Sequence, residues 1–240
     1  MEMSSLNTVI LLTLFSGLAV PLGAILASMR LFKLDWLDTE FKHIVIAFGG
    51  GALLSAVALV LVPEGIKNLT ILQSGFYFIT GGLFFMLIDI VFNKIKTSAS
   101  QLMAMLADFI PESIALGATF LVNKKSALLL ASLIALQNMP EGFNAFYELK
   151  ASSAFSRLKI ILLFILLALL GPVAGVLGYL VLSDSPGIVS AIMLFASGSI
   201  LYSVFQDIAP QVPLEKHWFP PMGAVLGFVF GLVGYMFTHF

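Results

Sequence analysis

Cysteine is absent from the 240 residues, which removes disulfides, thiolate metal ligands and cysteine nucleophiles. Any metal must then bind through nitrogen, oxygen or a methionine thioether. Charge is scarce: 10% of residues are Asp, Glu, Lys or Arg, against roughly 25% in a soluble domain. The net charge is −1, so no basic surplus suits a nucleic-acid partner. Histidine is limited to His43, His217 and His239, each near the end of an apolar run, where an interfacial or solvated role fits. No His-Glu-x-x-His pair, no paired Gly-Asp motif and no serine sharing a face with a histidine is present, which argues against a membrane-embedded hydrolase.

What is abundant is apolar: 60% of the residues, with a mean hydropathy of +1.05. Runs of about 20 residues, the length that crosses roughly 30 Å of hydrocarbon, fall near Thr8–Met29, His43–Val62, Ile71–Phe92, Gln101–Val122, Ser126–Leu149, Leu158–Leu182, Gly187–Pro210 and Trp218–His239. The pattern predicts an all-α membrane protein of eight transmembrane helices, with residues 1–240 forming a single transmembrane domain. The first run is preceded by Glu2 and is read as a retained span rather than a signal peptide. Trp36 and Trp218 suit the interfacial aromatic belt. The joints after odd-numbered spans hold Arg30, Lys33, Lys42, Lys94, Lys96, Lys150, Arg157, Lys159 and Lys216, against Lys67, Lys124 and Lys125 on the other side. Basic residues collect in cytoplasmic loops, so both termini are expected outside.

A weak repeat sets Phe48, Gly51, Leu54, Val57 and Pro63 against Phe195, Gly198, Leu201, Val204 and Pro210 at a constant offset of 147. Pro111-Glu112 and Pro140-Glu141 match at an offset of 29. This reads as a 3+2+3 arrangement in which spans 1–3 and 6–8 form inverted repeats, a plan that places transport sites near the midplane on broken helices.

The chemistry concentrates in the central pair. The fourth span carries Asp108, Pro111, Glu112 and Ser113, and the fifth carries Gln137, Asn138, Pro140, Glu141 and Gly142. A charge at a helix centre costs ~2.5–3.5 kcal/mol on insertion scales, so three acids at this depth call for a cation or protons. Asp108 and Glu112, like Gln137 and Glu141, are one helical turn apart and share a face. Each proline lacks an N–H, which frees the carbonyls of Ala107 and Leu136. The stripe continues through Gln101 and Met105 before Asp108 and through Asn144 and Glu148 after Glu141. Asp89, late in the third span, is either a lining residue or an end charge.

These residues resemble the ZIP (Zrt/Irt-like) family, whose fourth span carries His-Asn-x-Pro-Glu-Gly and whose fifth carries a related Pro-Glu-Gly motif. Pro111 to Gly117 and Gln137 to Gly142 are similar to the two motifs. Gly49–Pro63 and Gly198–Pro210 resemble the family's second and seventh spans. The sequence departs from the pattern at Asp108, where the family has histidine, and at Phe109, where it has asparagine. Asn138 stands at a position that can be acidic, and Gln206-Asp207 replaces a more acidic pair. The loop at Asn93–Ser100 has no histidine. The resemblance implies a divalent metal transporter rather than an enzyme, with metal ligands drawn from Asp108, Glu112, Gln137, Asn138, Glu141, Gln206 and Asp207. One good site built from Asp108, Glu112, Gln137 and Glu141 remains, and Phe109 strips a second. An all-oxygen set suits Mn, Fe or Mg, and zinc also binds carboxylates. The metal is transported substrate, expected to move into the cytoplasm across the plasma membrane. The expected partners are the lipid bilayer and the divalent metal ion, with a homodimer left open. The alternatives are a transport-deficient metal-binding sensor and a membrane-embedded metal-dependent enzyme.

Overall fold

The computed structural model describes residues 3–29, 35–95, 98–181, 185–215 and 217–239, with side chains at all of these except 3–4, 35–39, 92–95, 98–105 and 107–108. The described residues form eight helices at the places the apolar runs predict. α1 is Met3–Ser28 and α3 is Ile71–Ile95. α2 is Asp35–Ala56, prolonged by a π turn at Val57–Leu61 and a last turn at Val62–Gly65. α4 is Ser98–Val122 and α5 is Lys124–Ser152. α6 comprises Arg157–Ala168 and Leu170–Val181, joined at Leu169. α7 is Pro186–Ser203, prolonged by a π turn at Val204–Ile208 and a 3-10 turn at Ala209–Gln211. α8 is Met222–His239.

Local chemistry sets the boundaries. Asn123 caps α5 by accepting the N–H groups of Lys125 and Ser126, and Ser156 caps α6 by accepting that of Lys159. Such caps contribute about 1 kcal/mol each. The two π turns immediately precede Val62-Pro63 and Ala209-Pro210. A proline offers no N–H to the carbonyl four residues back, and the widened turn instead pairs Val62 N–H with Val57 O and Ala209 N–H with Val204 O. The turns begin 147 residues apart, the offset already visible in the sequence.

Among the described residues six helices are long and apolar enough to cross a membrane: Ser5–Ser28, Glu40–Gly65, Ile71–Val91, Arg157–Val181, Pro186–Gln211 and Met222–His239. The other two are α4, whose continuously described apolar stretch is Phe109–Val122, and α5, which carries Gln137, Asn138, Glu141, Asn144 and Glu148. These are also the enclosed pair: α5 packs on α1, α2, α4, α6 and α8, and α4 packs on α1, α3, α5, α6 and α7. By contrast α3 and α8 present Ile71, Leu72, Phe76, Ile79, Val225 and Phe237 outward. Polar helices inside an apolar jacket are the arrangement that a lipid solvent selects.

Close backbone approach at glycine ties the jacket together. A Cβ at Gly51 would collide with the carbonyl oxygen of Ala224 on α8, and one at Gly198 with that of Phe78 on α3. Gly227 of α8 and Gly81 of α3 return the contact, meeting the carbonyls of Phe48 and Phe195. The pair α2 and α8 is therefore built like the pair α7 and α3. The central helices are related in the same way. Gly142 of α5 lies on the Val20 carbonyl of α1, and Gly117 of α4 on the Gly175 carbonyl of α6; Gly23 and Gly178 return these contacts to Met139 and Ile114. Met139 then answers to Ile114 and Gly142 to Gly117, an offset of 25. The Pro-Glu match at 29 is one helical turn away from this packing register, so Glu112 has Gln137, not Glu141, as its counterpart.

The largest apolar cluster fills the end of the bundle near the Asn123 turn, with Leu61, Leu116, Leu130, Leu133, Ile134 and Met193 at its centre. A smaller one around Ala24, Phe146, Leu149, Ile160 and Phe164 lies toward the Ser152 end of α5. The central motifs sit between the two.

Candidate metal centre

The structure brings Glu112, Gln137, Asn138 and Glu141 together inside the helix jacket. Glu112, Gln137 and Asn138 are buried, at 4%, 5% and 1% exposure, and Glu141 is partly exposed. Gln137 Nε2 donates to Glu141 Oε2 at 2.9 Å, the one-turn pairing that their spacing predicts. Asn138 Nδ2 donates to the Ser16 carbonyl on α1 at 2.9 Å. Both amides thus commit their N–H groups to neighbours and keep their carbonyl oxygens free. Gln137 Oε1, Asn138 Oδ1, Glu112 Oε2 and Ser113 Oγ are all buried without a hydrogen-bond partner. An unsatisfied buried polar atom costs about 1–3 kcal/mol, so four at one locus are a large local penalty, and three of them can only accept.

The charges compound it. Burial disfavours charge on Glu112 and Glu141, and the acids follow one another within electrostatic range, Glu112 beside Glu141, Glu141 beside Asp207 and Asp207 beside Asp89. Asp207 lies on the π turn of α7, exposed, and accepts from Ser203 Oγ at 3.2 Å. Asp89, which the sequence left undecided, is hydrogen-bonded to Tyr202 of α7. Gln206 is exposed on the same π turn. Asp108 lies on α4, but its side chain is outside those described, and so are those of Gln101, Met103 and Met105. Among the described residues no three of His, Asp and Glu converge on a point that would hold a metal. The groups gathered here are instead carboxyls and amides, so the donor atoms they offer are oxygens.

Phe109 fills the space beside them. Its ring tip would lie 2.7 Å from a Cβ at Gly17 and 2.6 Å from one at Gly171, so the two glycines of α1 and α6 make room for the aromatic ring. Together with Leu106, Asn138, Glu141 and Phe164 it lines a narrow cavity. The Pro-Glu-Gly sequence of α5 also gains a physical reading. Pro140 frees a carbonyl and packs 3.4 Å from a Cβ position on Gly49 of α2, Glu141 supplies charge, and Gly142 admits the α1 backbone.

Sequence reasoning missed Ser16, whose backbone carbonyl orients Asn138, and Gln211, which reaches the polar stripe from α7. Asn144 Nδ2 donates to Glu148 Oε1 at 2.9 Å and to Gln211 Oε1 at 3.3 Å. The repeat offset carried a faint signal for Gln211, since it falls opposite Glu64, directly after the matched prolines.

No curated protein matches the chain. The family model described as ZIP zinc transporter matches residues 98–238, from the start of α4 to the end of α8. That family consists of transporters of divalent metals and not of enzymes. The match covers more than half of the chain and includes the buried carboxylate and amide cluster, so this integral membrane protein belongs to the ZIP zinc transporter family.

Proposed function

We propose that the chain carries one divalent cation at a time between α4 and α5, bound by Glu112, Glu141, the carbonyl oxygens of Gln137 and Asn138, and Asp108. The observation that carries this reading is the set of buried acceptor oxygens left without donors beside two neighbouring acids, Glu112 and Glu141, on which burial disfavours charge. A divalent cation relieves both penalties at once. The oxygen set admits Zn, Fe, Mn or Mg.

The transport path follows from exposure. Beyond Glu112, toward the Asn123 turn, α4 and α5 are closed by the large apolar cluster. In the other direction exposure rises through Glu141 to Asp207 and Gln211. With basic residues concentrated in the joints at the Ser152 end, that end is cytoplasmic, the termini are outside, and the ion leaves inward across the plasma membrane. The paired glycine contacts and the two π turns support a 3+2+3 plan of eight spans. In that plan α4 and α5 cross the bilayer inside the jacket of the other six, and the two triplets move against one another.

Uptake of Zn²⁺ into proteoliposomes, compared across wild type, Glu112→Gln and Glu141→Gln, tests this. Each substitution preserves shape and removes one charge, and each is expected to lower uptake at least 10-fold and to weaken stabilisation of the protein by Zn²⁺. Unchanged uptake in both variants would move the site elsewhere. Zn²⁺ stabilisation of the wild type without any flux would identify a metal sensor instead.

A further inference from the structure

Below Glu141 the polar stripe of α5 meets α7 at one shared amide. Asn144 Nδ2 donates simultaneously to Glu148 Oε1, one turn on in its own helix, and to Gln211 Oε1, at the end of the 3-10 turn of α7. Gln211 is fixed from behind, because its Nε2 donates to the Asp207 carbonyl. Lys42 of α2 attracts Glu148 from the other side. Asn144 is therefore a strap that ties α5 to the end of α7, about one helical turn on from Glu141.

We propose that this strap is a cation-operated exit latch. The two oxygens that the Asn144 N–H₂ covers, a carboxylate oxygen and an amide carbonyl oxygen, are the ones that a divalent cation arriving from Glu141 would take. An amide donor is the weaker partner for a carboxylate, since a divalent ion brings two full charges to the same oxygen. Rotation of the Asn144 amide by half a turn withdraws the N–H₂ and presents Oδ1, so the residue changes from donor to ligand. The ion then rests on Glu148 Oε1, Gln211 Oε1 and Asn144 Oδ1 while the hydrogen bond between α5 and α7 is broken. Lys42 competes with the ion for Glu148, so residence is brief and the ion passes on to water. Asn144 thus alternates between donor and ligand, and the latch rests on the transport reading given above.

The chain has no cysteine of its own, so Asn144→Cys with Gln211→Cys introduces the only two thiols. A short bifunctional thiol reagent should join them readily in metal-free protein, and saturating Zn²⁺ should slow the reaction at least 5-fold. In proteoliposomes, the joined protein should take up Zn²⁺ at least 10-fold more slowly than the same double variant treated with a monofunctional reagent, while Zn²⁺ still stabilises it thermally. Asn144→Leu, which removes the strap without a cross-link, should raise the maximal uptake rate with little change in the half-saturating concentration. Failure of the two thiols to join, or full uptake in the joined protein, overturns the latch. An inactive wild type overturns the transport reading instead, which separates the two failures.

Discussion

The π turns of α2 and α7 share a backbone device but not its surroundings. At Val57–Leu61 the turn is packed into the main core, with Val57, Val60 and Leu61 buried. At Val204–Ile208 only Val204 is buried, and Phe205, Gln206 and Asp207 are exposed. After the prolines, Glu64 is neutralised within its own turn by Lys67 at 2.7 Å, whereas Gln211 reaches across to Asn144. In the transport reading proposed above, the buried copy is a seal and the exposed copy a polar mouth. Such asymmetry is what one state of an alternating-access carrier requires, since the sealed copy must open when the open copy seals.

The strongest way to break this comparison is at the glycines that hold each copy against its neighbour. Gly51→Leu and Gly198→Leu drive a side chain into a backbone carbonyl on α8 and α3 respectively. Backbone cannot yield as a flexible side chain can, so each substitution is expected to cost about 3–5 kcal/mol or to abolish folding. Yields of folded protein from the two variants should fall alike. If Gly198→Leu is tolerated while Gly51→Leu is not, the α7 and α3 contact is not the counterpart of the α2 and α8 contact.

A second change acts on the central pair that lies between the two copies. Phe109 occupies the groove made by Gly17 and Gly171, and Asn138 spends its N–H₂ on Ser16. Phe109→Asn with Asn138→Asp empties the groove and adds a carboxylate, so metal stoichiometry measured by calorimetry should rise from one to two per chain. Without metal the double variant should be less stable, because a large aromatic leaves a void and the donor to Ser16 is lost. Added metal should restore much of that stability, and an unchanged stoichiometry would reject a second position here.

Much of this arrangement is legible in the sequence, and the limits have physical causes. The helices follow from apolar length, and the midspan cluster follows from the cost of acids in hydrocarbon, which made Glu112, Gln137 and Glu141 conspicuous. The offset of 147 reappears in the spacing of the two π turns and of the close contacts at Gly51 and Gly198, because it rests on glycine and proline, residues whose backbone consequences are direct. The match of the Pro-Glu motifs at 29 did not give the packing register, because register is fixed by glycines meeting carbonyls, and Gly117 and Gly142 are 25 apart. Gln206 and Asp207 are adjacent on an exposed π turn, and Asp207 lies within electrostatic range of Glu141, a proximity across helices that sequence spacing does not encode. The bond from Asn138 to a backbone carbonyl could not be read at all, since every residue has a carbonyl.

The smallest expected effect sharpens the contrast most. Lys67→Gln removes the counter-charge of Glu64, which is buried at 7% exposure, while the lysine side chain itself is 55% exposed. Solvent already screens half of the pair, so the loss should be about 1 kcal/mol rather than the several expected for a fully enclosed one. In a chain of this size that is a fall of roughly 2–4 °C in melting temperature. Zn²⁺ uptake should stay within about twofold of wild type, because the pair lies on the sealed copy and closes within a single turn of α2. Asn144→Leu, which cuts the bond from α5 to Gln211 on the open copy, should do the opposite and change uptake with little effect on melting. Measuring both quantities for both variants tests the division directly. Should Lys67→Gln alter uptake more than Asn144→Leu does, the Glu64 turn is part of the conducting path and the seal lies elsewhere.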